Sequence, residues 1–180
     1  VLGLIGELDH PKRKRGDKKK VDPGIFVMKH PLSAVSEGFR NLRTNLDFAS
    51  VDKPIKTLLV TSSGPSEGKS TMSVNLAAVI AQGGRKVLLL DADLRRPSIH
   101  RYLGISTRKG LVDLFRPDAQ LSDVLNVWEE PPMLVIPSGE LPPNPTELLA
   151  SDRMEKILEE IKGIVDIVII DTPPAVISDP

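Results

Sequence analysis

From residue 33 to residue 171 the chain alternates between two hydrophobic rhythms. Val35, Phe39, Leu42 and Leu46 recur at helical spacing, which predicts an amphipathic helix over 33–49 with Ser33 as its N-cap. Continuous apolar runs follow at Leu58-Leu59-Val60, Val87-Leu88-Leu89-Leu90, Met133 to Ile136 and Ile167-Val168-Ile169-Ile170. Such runs read as strands covered on both faces. Between them lie a predicted helix from Lys69 to Gln82, stopped by Gly83-Gly84, and two short helices near 110–115 and 121–127. A further helix begins after Pro145 and reaches about Lys162. Strands alternating with helices predict an α/β fold with a mostly parallel sheet flanked by helices. Residues 7–30 carry charge, Pro11, Pro23 and Gly24 but little periodicity, and read as a linker.

Composition narrows this picture in three ways. A length of 180 residues suits one domain with a real core. Lysine plus arginine equals aspartate plus glutamate at 24 each, so the whole chain is no obvious nucleic-acid binder. Residues 11–20, PKRKRGDKKK, nevertheless hold seven basic side chains against one acid, without interleaved aromatics. The absence of cysteine excludes disulfides, thiolate metal sites and cysteine nucleophiles. No apolar stretch approaches the roughly 18–20 residues a membrane helix needs. The chain starts on Val1 rather than Met and ends just past a strand, so it is expected to be a piece of a longer polypeptide, cut after its last predicted strand.

Three strand ends carry chemistry. After Val60 comes SGPSEGKS, Ser63 to Ser70, which approximates the G-x-x-x-x-G-K-[ST] phosphate loop with serine at the first glycine position. Gly64 and Gly68 allow backbone N–H groups to turn towards phosphate oxygens. Pro65, Ser66, Glu67 and Thr71 complete the loop, Lys69 can reach the β- and γ-phosphates, and Ser70 can ligate Mg²⁺. The helix that starts there adds its positive dipole end. Asp91 and Asp171 each end a buried strand, where ligands bind in such sheets. Carboxylates placed so can hold Mg²⁺ directly or through water. Asp93 is a second acid for the metal shell or a base, and Arg95 can touch phosphate or pair with Asp93. In the first helix Glu37 lies opposite the apolar stripe and Arg40 and Arg43 step round towards its edge, a diagonal polar ridge that by itself reads first as an ordinary solvated face.

In order, these segments resemble the bacterial tyrosine kinases of capsule and exopolysaccharide assembly. Residues 63–71 are similar to that family's Walker A motif, VLLLDADLR (Val87–Arg95) to its Walker A′ motif, and IVIID (Ile167–Asp171) to its Walker B motif. Glu37-Gly38-Phe39-Arg40-Asn41-Leu42-Arg43 matches its E-x-x-R-x-x-R oligomerisation motif, and GELPPNPTELL (Gly139–Leu149) is similar to its PPNP stretch. The resemblance covers about residues 31–174. It implies a P-loop NTPase fold for 31–180 and a kinase using ATP and Mg²⁺, with Lys69, Asp91, Asp93 and Asp171 catalytic. It implies ATP binding by residues 64–71 and Arg95, and metal ligation by Ser70, Asp91 and Asp171. The implied reaction moves the γ-phosphoryl group to tyrosines of a C-terminal cluster, mostly on a neighbouring subunit, with Asp91 and Asp93 both candidates for the base. Residues Glu37, Arg40 and Arg43 become a ring interface between copies. Residues 1–30 become a juxtamembrane segment, with Val1–Gly6 similar to a short strand that follows a membrane helix and 11–20 a basic linker. Expected partners are a co-polymerase membrane region, fused or separate, and a cognate phosphatase, at the cytoplasmic face of the inner membrane.

Some features depart from that pattern. Tyr102 is the one tyrosine, and it reads as a packing residue rather than a phosphosite. The tyrosine cluster and the segments expected to contact the base are absent from these 180 residues. His10, His30 and His100 show no metal spacing and read as surface or loop residues. Partitioning and division-site ATPases carry a lysine where Gly64 stands, which argues against them. The alternative reading is an ATP-bound assembly switch that transfers little phosphate.

Overall fold

The structure, a computed structural model, describes residues 2–6 and 25–175. The basic run at 11–20 and His10 lie outside the described residues. A five-stranded sheet forms the centre, with strands β1 (Thr57–Val60), β2 (Val87–Asp91), β3 (Asn126–Glu129), β4 (Pro132–Ile136) and β5 (Ile167–Asp171). Their order is β1-β5-β2-β4-β3, parallel except for β3, which pairs antiparallel with β4. Strand β5 therefore separates β1 from β2 and sets Asp91 beside Asp171 in register.

Alternate residues of the strands feed two cores, as the two-residue period of a strand requires. Leu89, Val87, Ile167 and Ile169 face α3 (Lys69–Gln82). Leu88, Leu90, Val168 and Ile170 face α6 (Asp152–Ile164), where Met154, Ile157 and Ile161 are buried. Helix α3 is buried from Ser73 to Ala81 because α2 (Ala34–Ala49) covers its outer side with Phe39, Leu42 and Leu46. The Ser33 side chain caps α2 by accepting from the Ser36 N–H, as expected.

Four expectations need correction. Strand β1 is not covered on both sides: it lies at the sheet edge with only β5 beside it, and Leu59 is 60% exposed. The segment predicted as a helix over 121–127 is a 3₁₀ turn, Leu121–Asp123, followed by β3, because cross-strand pairing with β4 outweighs a weak local helix signal. The single helix after Pro145 is two, α5 (Pro145–Leu149) and α6. Ser151 restarts the helix as an N-cap, its Oγ accepting from the Met154 N–H. Residues 25–30 are not linker but contain α1 (Phe26–Lys29), anchored by buried Ile25 and Val27. The remaining short helices are α4 (Ile99–Leu103) and the 3₁₀ turn Leu111–Phe115.

Residues 2–6 belong to no strand ladder. They lie along α2, where Asn45 Nδ2 donates to the Leu2 carbonyl at 2.6 Å and the Leu4 carbonyl approaches Gly38. Among the described residues no helix is long and apolar enough to cross a membrane.

Candidate functional site

The phosphate loop leaves β1 after Val60 and enters α3 at Lys69. Its base is tied to the end of β5: the Thr172 N–H and Oγ1 both donate to the Val60 carbonyl, and the Ala175 N–H donates to that of Ser62. Gly68 caps α3 with φ 86°, a left-handed conformation that glycine adopts without steric cost. No side chain caps this helix start. The first amides of α3 thus lack the side-chain acceptor that usually meets them, which is the arrangement an anion can fill. Gly64 packs against the Glu67 carboxylate, whose Oε1 would lie 3.3 Å from a Cβ at that position.

Ser70 and Asp171 come together across the two strand-helix junctions. Ser70 Oγ donates to Asp171 Oδ2 at 2.5 Å. Burial pushes the Asp171 carboxyl above its ordinary range, opposed by hydrogen bonds from Ser70 and then Ser73. Asp91 is fully buried on the neighbouring strand. Desolvation, and then the charge of Asp171, push its pKa up to about 7. Both Asp91 oxygens are engaged by backbone: Oδ2 accepts from the Ser98 and Ile99 N–H groups at 3.1 Å each, and Oδ1 from the Asp93 N–H at 3.3 Å. The buried Asp93 turns the following loop, its Oδ1 accepting from the Arg95 and Arg96 amides. The Arg95 side chain is exposed, so Arg95 meets Asp93 through its backbone.

Several contacts at this site were not singled out from the sequence. Ser73 Oγ donates to Asp171 Oδ1 and to the Lys69 carbonyl, both at 3.0 Å. Its position one helical turn beyond Lys69 and Ser70 was the available signal. The Tyr102 hydroxyl lies 2.8 Å from Thr71 Oγ1, so the packing role expected for Tyr102 includes a polar contact at the start of α3. Asn75 Nδ2 donates to the Thr71 carbonyl, and its Oδ1 accepts from the Val27 N–H, joining α1 to the phosphate-binding helix. His100 is not in a loop: it sits partly buried in α4 with its Nδ1 enclosed, and burial lowers its pKa.

Glu37 and Arg40 pair on the outer face of α2 at 2.7 Å. Arg43 is turned inwards and donates to the Val79 carbonyl in the last turn of α3 at 3.0 Å.

The donor set fits Mg²⁺. Among the described residues no three histidine, cysteine, aspartate or glutamate side chains converge as a metal cage. Mg²⁺ at a triphosphate usually takes one or two carboxylates, substrate phosphates and waters, so a serine hydroxyl beside one strand-end aspartate suffices.

Known proteins place this geometry in a family. The family model described as an AAA domain matches residues 56–178. Tyrosine-protein kinase YwqD of Bacillus subtilis is 40% identical over 163 residues, which are 91% of this chain and 68% of that protein. Tyrosine-protein kinase etk of Escherichia coli K12 is 40% identical over 150 residues, 83% of this chain but only 21% of that longer protein. The solved kinase domain of Escherichia coli ETK superposes with a TM-score of 0.86 at 37% identity, covering 98% of this chain and 71% of that one. A more distant likeness, with a TM-score of 0.57 and 25% identity, covers 68% of this chain and 51% of the septum site-determining protein MinD of Pyrococcus horikoshii, solved with Mg-ADP. With a phosphate loop, two strand-end aspartates in register and a homologue that matches nine-tenths of this chain and two-thirds of its own length, the chain belongs to the family of bacterial tyrosine-protein kinases.

Proposed function

We propose that this chain binds Mg-ATP at the start of α3 and transfers the γ-phosphoryl group to tyrosine hydroxyls, in a C-terminal cluster presented by a neighbouring subunit. The observation that carries this reading is the Ser70–Asp171 contact beside Asp91, at the mouth of a helix whose first amides have no side-chain cap. Ser70 and Asp171 would hold Mg²⁺, with Asp91 behind them; the metal supplies neutralisation of phosphate charge. Lys69 and the amides of residues 68–71 would hold and orient the phosphates. Phosphoryl transfer needs mostly such positioning and charge stabilisation. A free tyrosine hydroxyl has a pKa of about 10 and is a poor nucleophile at neutral pH. Asp91, at the end of β2, and Asp93, in the loop after it, are the two carboxylates that can take the tyrosine proton as base.

The exposed Glu37–Arg40 pair fits a self-assembling ring, and residues 2–6 along α2 fit a junction with a preceding membrane region. The much greater length of etk supports that tether, as does the basic run at 11–20, where each Lys or Arg near anionic lipid adds about 1 kcal/mol. On this reading the kinase works at the cytoplasmic face of a bacterial membrane, regulating capsule or exopolysaccharide export and opposed by a tyrosine phosphatase.

The test is Lys69→Met in the full-length protein. Phosphotyrosine, read by immunoblot after incubation with Mg-ATP, is expected to disappear. Undiminished labelling would overturn the kinase reading of this site.

A further inference from the structure

The phosphate loop carries one acid, Glu67, beside the place where the ATP-binding reading puts a triphosphate. A carboxylate there has two natural options: to cap the first amides of α3, where anions are favoured, or to turn elsewhere. It does the second. Both Glu67 oxygens accept from Ser63 Oγ, at 2.9 and 3.0 Å. The backbone of Gly64 faces this carboxylate and, with the Ser63 hydroxyl, holds its pKa below the ordinary range.

The approach is close enough that a Cβ on Gly64 would lie 3.3 Å from Glu67 Oε1. On its other side, the Gly64 carbonyl accepts from Ser62 Oγ at 2.6 Å. Gly64 is therefore held on two sides, by the bond to its carbonyl and by the carboxylate packed against it. Ser66, between the two ends of this brace, has φ 64°, a left-handed conformation unusual for a residue with a side chain. Held this way, residues 63–67 form a fixed turn, while the α3 amides beyond it keep no side-chain acceptor.

Resting on that ATP-binding reading, we propose that Glu67 is a positioning residue for the nucleotide: its carboxylate braces residues 63–64 and so holds the phosphate loop open in its binding shape. It acts through the loop and does not itself touch phosphate. Pre-shaping a loop raises affinity by removing the cost of ordering it on binding.

The experiment is a double-mutant cycle on the full-length protein, reading Mg-ATP affinity by calorimetry. Glu67→Ala is expected to weaken binding about five- to tenfold, and Ser63→Ala to weaken it less. The double variant should be no weaker than Glu67→Ala alone, since the two side chains act as one brace. Glu67→Gln keeps an acceptor oxygen for Ser63 Oγ and should restore most of the affinity. Because the Glu67 side chain, among the described residues, bonds only within its own loop, the urea midpoint of every Glu67 and Ser63 variant should match the parent. Tighter binding in Glu67→Ala and Glu67→Gln would show a carboxylate that merely repels ATP and would overturn the brace, as would unchanged affinity or additive losses. Lys69→Met separates the two levels: if it leaves ATP binding intact, the nucleotide site itself is misplaced. Lost binding there together with an indifferent Glu67→Ala sinks the brace alone.

Discussion

Asp91 is the residue with the most at stake in being buried. It accepts three backbone hydrogen bonds, yet desolvation and the neighbouring Asp171 charge still raise its pKa from 3.8 to about 7. The sign follows from proton counts. Between pH 4 and 7 folded Asp91 holds its proton and unfolded Asp91 does not, so stability is greatest below the unfolded value and is lost as pH rises through 7. The full effect is on the order of 4 kcal/mol at one pKa unit per 1.36 kcal/mol. His100, whose pKa is lowered by burial, contributes with the opposite sign below its ordinary value. The clean measurement is therefore a comparison of slopes: urea unfolding of the parent and of Asp91→Asn at pH 5 and pH 8. The parent is expected to lose more stability than the variant over that interval; equal losses would show that Asp91 ionises freely. The aspartate was legible in the sequence as a strand end. Its entanglement with the amides of Ser98 and Ile99 was not, since that contact depends on how the following loop folds back.

At the level of elements, α2 shows how a sequence motif divides its work. Glu37, Arg40 and Arg43 read as one outward ridge because a helical wheel sees only their angles. The packed structure separates them, because the side chain of Arg43 is long enough to cross to the end of α3. There it meets a last-turn carbonyl, where a cation is favoured by the helix dipole. Replacing Arg43 with alanine should cost about 1–2 kcal/mol of stability, as for a partly buried hydrogen bond from a charged group. Glu37 and Arg40 form an exposed pair, which typically contributes about 0–1 kcal/mol. Alanine at those two positions should leave the urea midpoint of the full-length protein nearly unchanged while shifting it towards monomers by light scattering. An oligomer that survives their loss would refute the ring interface proposed for them. The same limit on sequence reasoning explains β3. Residues 126–129 have no strong local preference, and only the antiparallel partner β4 defines them. The helices and strands with long, unbroken periodicity, α2, α3, β2 and β5, were all legible.

Across the whole molecule, one sheet serves two cores, and the nucleotide site draws on them unequally. Side chains on one face of β2 and β5 pack on α3, the helix whose first turn carries Lys69 and Ser70. Those on the other face pack on α6, which contributes none of the candidate site residues. The alternation that assigns each strand residue to a face was readable from the sequence, whereas which helix lay over which face was not, because that depends on the handedness of the connections. The consequence can be measured. Ile161 on α6 is completely buried, and Leu76 on α3 nearly so. Truncating either to alanine leaves a cavity and should cost about 2–5 kcal/mol in urea unfolding. Their effects on the site should differ. Strain released beneath α6 reaches Asp91 and Asp171 only through the rigid sheet, so Ile161→Ala should leave the Mg-ATP affinity of the folded protein unchanged. A cavity under Leu76 lies along the helix that presents Ser70 and Ser73 to Asp171, so Leu76→Ala should weaken Mg-ATP binding as well as stability. Equal losses of affinity in the two variants would mean that the sheet does not insulate the site from the far core, and that the phosphate loop is tuned by the packing of the entire domain.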